Sequence, residues 1–204
     1  MLPRLLPASV LSGACRIGTR IYAAIRPRRF AIVRRNLAAL ALPGDPALVA
    51  RRNFSEFGRK LAALWRFEAG LPVDDIARDG SGWEHFSAAV ASGRGVLLVT
   101  PHLGNWEFGG PLLARKGVRP LVLTAAEPGA GFTELRRDSR GRHGIETLVV
   151  GRDPFAFVEV MKRLQDGGVV ALLVDRPQSG TAVTVGFRGR PFEASIAAAE
   201  LARA

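Results

Sequence analysis

Two side chains five residues apart, His102 and Glu107, have the types and spacing that acid–base chemistry uses. Imidazole is the side chain whose unperturbed pKa lies nearest neutrality, so His102 is suited to act as a general base. A base that takes a proton from a hydroxyl must be held in one tautomer and one orientation, and a carboxylate on its other ring nitrogen does that. A turn between the two residues can fold Glu107 back toward the imidazole, which makes it the expected partner. The N-terminal amides of a helix after that turn, together with Asn105, are candidates for stabilising an oxyanion. Such a pair suits deprotonation of an acceptor hydroxyl that attacks a thioester. No Gly-x-Ser-x-Gly elbow is present and the single cysteine, Cys15, lies far off in sequence, which disfavours a covalent acyl-enzyme. On spacing alone, a structural histidine satisfied in the core is the competing reading.

The elements that must position this pair follow from the apolar pattern. Gly95–Thr100 reads as a buried strand, Pro101 ends its hydrogen bonding and Gly104 relaxes the turn. His102 therefore belongs at the carboxyl end of a strand, the edge where open α/β sheets bind ligands. The runs Pro120–Thr124, Glu146–Val150 and Val169–Val174 read as further buried strands, with Val183–Phe187 a weaker one. Helices are expected between them at about 105–116, 131–139 and 154–166, an alternation that predicts an α/β fold with a mostly parallel sheet flanked by helices. Ahead of it, residues 1–70 read as an N-terminal helical region. Phe54, Phe57, Leu61, Leu64 and Trp65 recur at helical spacing within Pro46–Ala69, and Pro43-Gly44-Asp45-Pro46 separates this helix from the segment Arg28–Leu40. Residues 71–204 form the expected α/β core. The alanine-rich helical pattern of Ala194–Ala204 closes the sequence without a cap and suggests a truncated core. Trp65, Trp83 and Trp106 sit in apolar patterns that read as core, and His85 falls in a helical pattern as a structural histidine. His143 has no carboxylate at a telling spacing, and three dispersed histidines with one cysteine predict no metal site.

The formal net charge is +11, and 26 of the 29 basic residues are arginine. A field of that sign attracts anionic partners, whether nucleic acid, an acidic protein or anionic lipid. The arginines are dispersed along the sequence, which argues against a nucleic-acid groove. No uninterrupted apolar run reaches the ~18 residues of a membrane span. Leu5–Ile25 comes closest, but Arg16 and Arg20 interrupt it, so it reads as an interfacial amphipathic helix or as a packed one.

The segment Gly-Val-Leu-Leu-Val-Thr-Pro-His-Leu-Gly-Asn-Trp-Glu at 95–107 resembles the His-x4-Asp/Glu block of the lysophospholipid acyltransferase superfamily. Its fuller form is similar to that of the late acyltransferases of lipid A biosynthesis, which add lauroyl or myristoyl chains, and of phosphatidylinositol mannoside acyltransferases. Further blocks follow in the same order. Arg34-Arg35-Asn36-Leu37 with the aromatic helix around Phe54–Trp65 resembles the family's N-terminal region. Arg140-Gly-Arg142-His-Gly144 resembles its arginine block, and Leu164–Asp175 its helix, glycine turn and strand ending in aspartate. Phe187-Arg-Gly189 with Pro191 is similar to its Phe-Gly segment. The sequence departs at Arg176, where members commonly carry Gln or His.

The resemblance implies a glycerol-3-phosphate acyltransferase-like fold, C-terminally truncated because members are about half as long again. It implies an acyltransferase that moves a fatty acyl chain from acyl-carrier protein, or from coenzyme A, to a hydroxyl of a lipid A precursor or related glycolipid. By position, His102 and Glu107 correspond to the catalytic pair. Arg140 and Asp175 match functional positions, Arg142 replaces Arg140 if the arginine register shifts by two, and Asn105 joins them in substrate binding. No cofactor and no nucleic acid are implied. The expected location is the cytoplasmic face of a bacterial inner membrane, peripheral or monotopic. The rival expectations are a basic, non-catalytic membrane- or nucleic-acid-binding module and an inactive acyltransferase fragment.

Overall fold

A computed structural model of the chain describes residues 2–72, 81–125, 130–150, 155–177 and 180–204. The chain divides into two compact units, Met1–Arg78 with Arg188–Arg190, and Asp79–Phe187 with Pro191–Ala204. Residues 71 and 72 thus fall in the first unit, and most of the stretch up to Gly80 lies outside the described residues.

The first unit holds helices α1 (Leu2–Leu5), α2 (Ala8–Ile25), α3 (Pro27–Ala39) and α4 (Pro46–Glu68). Proline at the first turn suits α3 and α4, since its missing N–H would be unpaired there anyway. The Asp45 side chain caps α4 by accepting from the Ala47 N–H at 2.9 Å. The buried stripe of α4 is Ala50, Phe54, Gly58 and Ala62 at strict four-residue spacing, joined by Ala63 and Phe67. Such a ridge of small residues lets α2 approach closely. A Cβ on Gly58 would lie 2.6 Å from the Cys15 carbonyl oxygen of α2, so glycine is required at the contact. Of the large residues of the sequence pattern, Phe54 lies in this stripe, whereas Phe57 and Trp65 are exposed.

The second unit is the α/β core. Its order is α5 (Trp83–Ala91), β1 (Val96–Thr100), a 3-10 turn (Trp106–Phe108), α6 (Gly109–Arg115), β2 (Leu121–Ala125), α7 (Ala130–Gly141), β3 (Glu146–Val150), α8 (Ala156–Gln165) and β4 (Val169–Leu173). The hairpin β5 (Ala182–Phe187) and β6 (Arg190–Ser195) and helix α9 (Ala197–Arg203) follow. β1 to β4 form one parallel sheet in the order β1-β4-β2-β3. The α/β class with N-terminal helices and a mostly parallel sheet is therefore as expected. Its core gathers Leu121, Val170 and Leu172 from the strands with Val160 and Leu164 from α8 and Leu201 from α9. Gly95, ahead of β1, has φ +78°, and a Cβ there would meet the Leu164 carbonyl oxygen at 2.3 Å, so both backbone conformation and space demand glycine.

The structure corrects several expectations. The helix expected at 105–116 begins with the 3-10 turn at Trp106, because Asn105 is not helical. The helix expected at 154–166 starts at Ala156, and its anticipated first residue, Pro154, lies outside the described residues. The closing helix, expected from Ala194, starts at Ala197 because Arg190–Ser195 pair with β5 instead. The hairpin turns through Arg188 and Gly189, both at positive φ, the signature of a turn that matches strand twist. The tryptophans do not form core: Trp65 is 47% exposed, and Trp83 and Trp106 are half-buried. His85 is exposed as well, not packed inside.

Candidate active site

Parallel pairing of β1 with β4 sets Thr100 opposite Leu173, so the residues two steps beyond each strand, His102 and Asp175, meet at one carboxyl edge. The Val174 N–H donates to the Thr100 carbonyl at 3.2 Å and carries the pairing past the strand ends. A tight turn then presents His102, with the Leu103 N–H donating to the Pro101 carbonyl across it at 2.7 Å. The next bend uses Gly104 at φ +59°.

One carboxylate oxygen holds His102 twice. Asp175 Oδ1 accepts the His102 backbone N–H at 3.0 Å and lies 2.7 Å from ring Nδ1. An ionised carboxylate can only accept, so Nδ1 carries the proton and Nε2 keeps its lone pair in the neutral ring. The geometry thus selects the tautomer a general base needs. The edge of the His102 ring also meets Trp106, with centroids 4.8 Å apart and planes at 78°. The side chains of His102 and Asp175 are 21% and 25% exposed, open enough to be reached and shielded enough to hold their geometry. Partial burial works to raise the Asp175 pKa, but the hydrogen bonds and charge attraction from His102 outweigh it, and the net shift is downward.

Glu107 was the carboxylate expected on His102, and the structure places Asp175 there. Glu107 sits in the 3-10 turn with its side chain only 7% exposed, and Arg136 and Arg140 both reach it. Arg136 Nη2 donates to Glu107 Oε1, and Arg140 Nη2 lies 3.4 Å from the same oxygen and 3.5 Å from Oε2. The two arginines are four residues apart on α7, hence on one face. The sequence reading named Arg140 and missed Arg136, although the i,i+4 spacing of the pair was legible. Arg142, the alternative register, lies beyond the end of α7 and is exposed. Asn105 lies between His102 and Glu107 in sequence. Among the described residues, neither polar atom of its buried carboxamide has a hydrogen-bond partner.

The arrangement therefore combines an oriented base, a buried carboxylate clamped by two guanidinium groups, and an unpaired amide within six residues of chain. A base of this kind takes a proton from a hydroxyl, and an amide donor can meet a developing oxyanion, which are the elements acyl transfer uses.

Residues 1–204 match the family described as bacterial lipid A biosynthesis acyltransferase, and the chain belongs to that family. It is 30% identical to a phosphatidylinositol mannoside acyltransferase of Mycobacterium tuberculosis (strain CDC 1551 / Oshkosh) over 217 residues, covering 99% of this chain and 66% of that protein. It is 31% identical to the corresponding protein of strain ATCC 25618 / H37Rv over 219 residues, again covering 99% of this chain and 66% of that protein. The protein of the same description from Mycolicibacterium smegmatis is 29% identical, with 98% of this chain and 67% of that protein covered. The chain thus spans about two thirds of the length of these relatives.

Proposed function

We infer that this chain carries the catalytic part of a glycolipid acyltransferase. His102 Nε2 removes the proton of an acceptor hydroxyl as its oxygen attacks the carbonyl carbon of an acyl thioester. The tetrahedral oxyanion collapses, the carbon–sulfur bond breaks, and the departing thiolate takes the proton back from Nε2. An ester and a free thiol result, with no covalent acyl-enzyme. Asp175 holds the ring and balances its transient positive charge. Glu107 acts through the clamp with Arg136 and Arg140, which keeps those arginines beside the turn to meet an anionic substrate group. Asn105 supplies an amide to the substrate or the oxyanion.

The observation that carries this reading is the double hold of Asp175 on His102, which leaves Nε2 as the only ring atom free to take a proton. The acceptor proposed first is a mannosylated phosphatidylinositol, in keeping with the names of the relatives, ahead of a lipid A precursor. Acyl-carrier protein is the proposed donor, ahead of coenzyme A. The proposed location is the cytoplasmic face of a bacterial inner membrane. Among the described residues no helix is long and apolar enough to cross a membrane, so a surface-bound arrangement is proposed.

The test is transfer of a radiolabelled acyl chain to each candidate glycolipid from both thioesters, using this chain and a version extended to the length of its relatives. Transfer abolished by His102→Ala with the fold retained is the expected result. Near-normal transfer by that variant would overturn the mechanism.

A further inference from the structure

The arginines are scattered along the sequence, but the charge balance is not. Residues 1–70 hold 13 basic and 3 acidic residues, whereas residues 71–204 hold 16 and 15. The first acidic residue of the chain is Asp45, after eight arginines. Nearly the whole net charge thus belongs to the helical first unit.

That unit also contains a groove of about 590 Å³ between α2, the start of α3 and α4. Its apolar wall includes Ile17 and Ile21, which are 60% and 55% exposed. Its floor is Phe54, whose ring stacks with Phe30 at 6.0 Å and meets Tyr22 at 6.5 Å. Arg20 and Arg51, both exposed, stand at the groove, and no carboxylate lines it. A neighbouring groove with Arg34 and Arg35 differs in having Asp45 in its wall, which opposes an anion.

We propose that the groove lined by Ile17, Ile21, Phe30, Phe54, Arg20 and Arg51 binds a single anionic phospholipid. Its phosphodiester lies between the two guanidinium groups and the first methylenes of its chains lie on the isoleucine and phenylalanine wall. The size suits a lipid headgroup with the start of its chains, since small-molecule sites run to roughly 300–1,000 Å³. Guanidinium groups favour phosphate oxygens through charge-assisted, paired hydrogen bonds. A nucleic acid fits less well, because it would need exposed aromatic faces to stack on, whereas the exposed large apolar residues lining this groove are Ile17 and Ile21, and its rings, Phe30 and Phe54, stack on one another. The proposal concerns the first unit alone and does not depend on the acyl-transfer reading.

The test is calorimetric titration of the full chain with dihexanoylphosphatidylglycerol below its micelle concentration. Parallel titrations use dihexanoylphosphatidylcholine, glycerol 3-phosphate and a duplex oligonucleotide. Saturable one-to-one binding of the phosphatidylglycerol is expected, weaker by at least about fivefold for the zwitterionic lipid, whose trimethylammonium group is repelled by the two guanidinium groups, and for the chainless phosphate, which lacks the apolar contact. Replacing both arginines (Arg20→Gln with Arg51→Gln) should weaken binding on the order of tenfold or more. The same charge change at Arg28 and Arg29, which line neither groove, should cost no more than about twofold if the site is local. Ile21→Asn should also weaken the lipid but not glycerol 3-phosphate, and it retains all arginines, so it tests the apolar wall separately. Equal losses for the two arginine pairs would overturn the site in favour of diffuse attraction. Glycerol 3-phosphate binding as tightly as the lipid, or tight duplex binding that depends on Arg20 and Arg51, would overturn the identity of the ligand.

Discussion

Asp175→Asn isolates the orientation of the proposed base, because it removes a charge while changing the side-chain volume little. In the native protein one oxygen accepts both the His102 backbone N–H at 3.0 Å and the bond from Nδ1 at 2.7 Å. An amide has no negative charge to balance the imidazolium formed during transfer. It can also turn its NH₂ toward Nδ1, which then becomes the acceptor and moves the proton to Nε2, the atom that must be free. A unit charge pair about 4 Å apart is worth about 4 kcal/mol at an effective dielectric constant near 20. Most of that is felt only once the ring is charged. The expected result is a fall in kcat of roughly 10²–10⁴-fold, equivalent to about 3–5 kcal/mol of barrier, with KM for both substrates little changed. Single-turnover acyl transfer reads the chemical step directly, and circular dichroism reports whether the fold is kept. A folded Asp175→Asn variant that turns over within about threefold of the parent would refute the argument. So would a Glu107→Gln variant that reproduces the loss alone, since it would return the orienting role to Glu107.

Glu107→Ala should destabilise the second unit by about 3–5 kcal/mol, because it removes the buried carboxylate that two partly buried guanidinium groups share. Differential scanning calorimetry would show this as a Tm fall on the order of 6–15 °C, and an unchanged Tm would mean that the clamp contributes nothing. Asn105→Ala should separate stability from activity: deleting an unpaired buried amide should leave urea unfolding unchanged or slightly improved, while transfer falls by about 10²-fold if the amide meets the oxyanion. Asp175 has a lowered pKa in the folded chain, so its contribution to stability is present above the ordinary carboxylate value of about 3.9 and is lost as pH falls through the lowered native value. Urea unfolding of parent and Asp175→Asn across pH 3–6 (approximate limits) should therefore show a gap that closes toward the acid end, and a gap that is constant with pH would contradict the linkage.

The strands of the core were legible because each is a short run of valine and leucine ended by proline, glycine or charge. Gly95 and Pro101 bracket β1, and Gly167-Gly168 precede β4. β6 was not legible, since Arg190–Ser195 lacks the apolar alternation of a buried strand and is mostly exposed. In α4 the apolar pattern marks Phe54, which is packed, but also Phe57 and Trp65, which are exposed, while Ala50, Gly58, Ala62 and Ala63 of the packed face are small residues that a hydrophobicity pattern underweights. The same limit governed the site. His102 and Glu107 were visible as neighbours in sequence, whereas the bond from His102 to Asp175 spans 73 residues and depends on strand order. Periodicity places residues on edges of a sheet, but it does not say that β4 inserts beside β1. Asp175 was expected as a functional position through resemblance, and its place at a strand end put it on the same sheet edge as His102, but its contact with the imidazole came from the parallel register.

That register also dictates when the base can exist. Among the described residues β4 is the last strand of the parallel sheet and lies between β1 and β2, so the earlier strands must leave a gap that residues 169–173 fill. Until the gap closes, His102 has no carboxylate and no fixed tautomer. Closing it means bringing together segments some seventy residues apart, the kind of distant pairing that forms late in folding. A nascent or partly unfolded chain therefore carries the His-x4-Glu sequence without the bond from His102 to Asp175. The bond between His102 and Asp175 is in effect a report that β4 has taken its place beside β1.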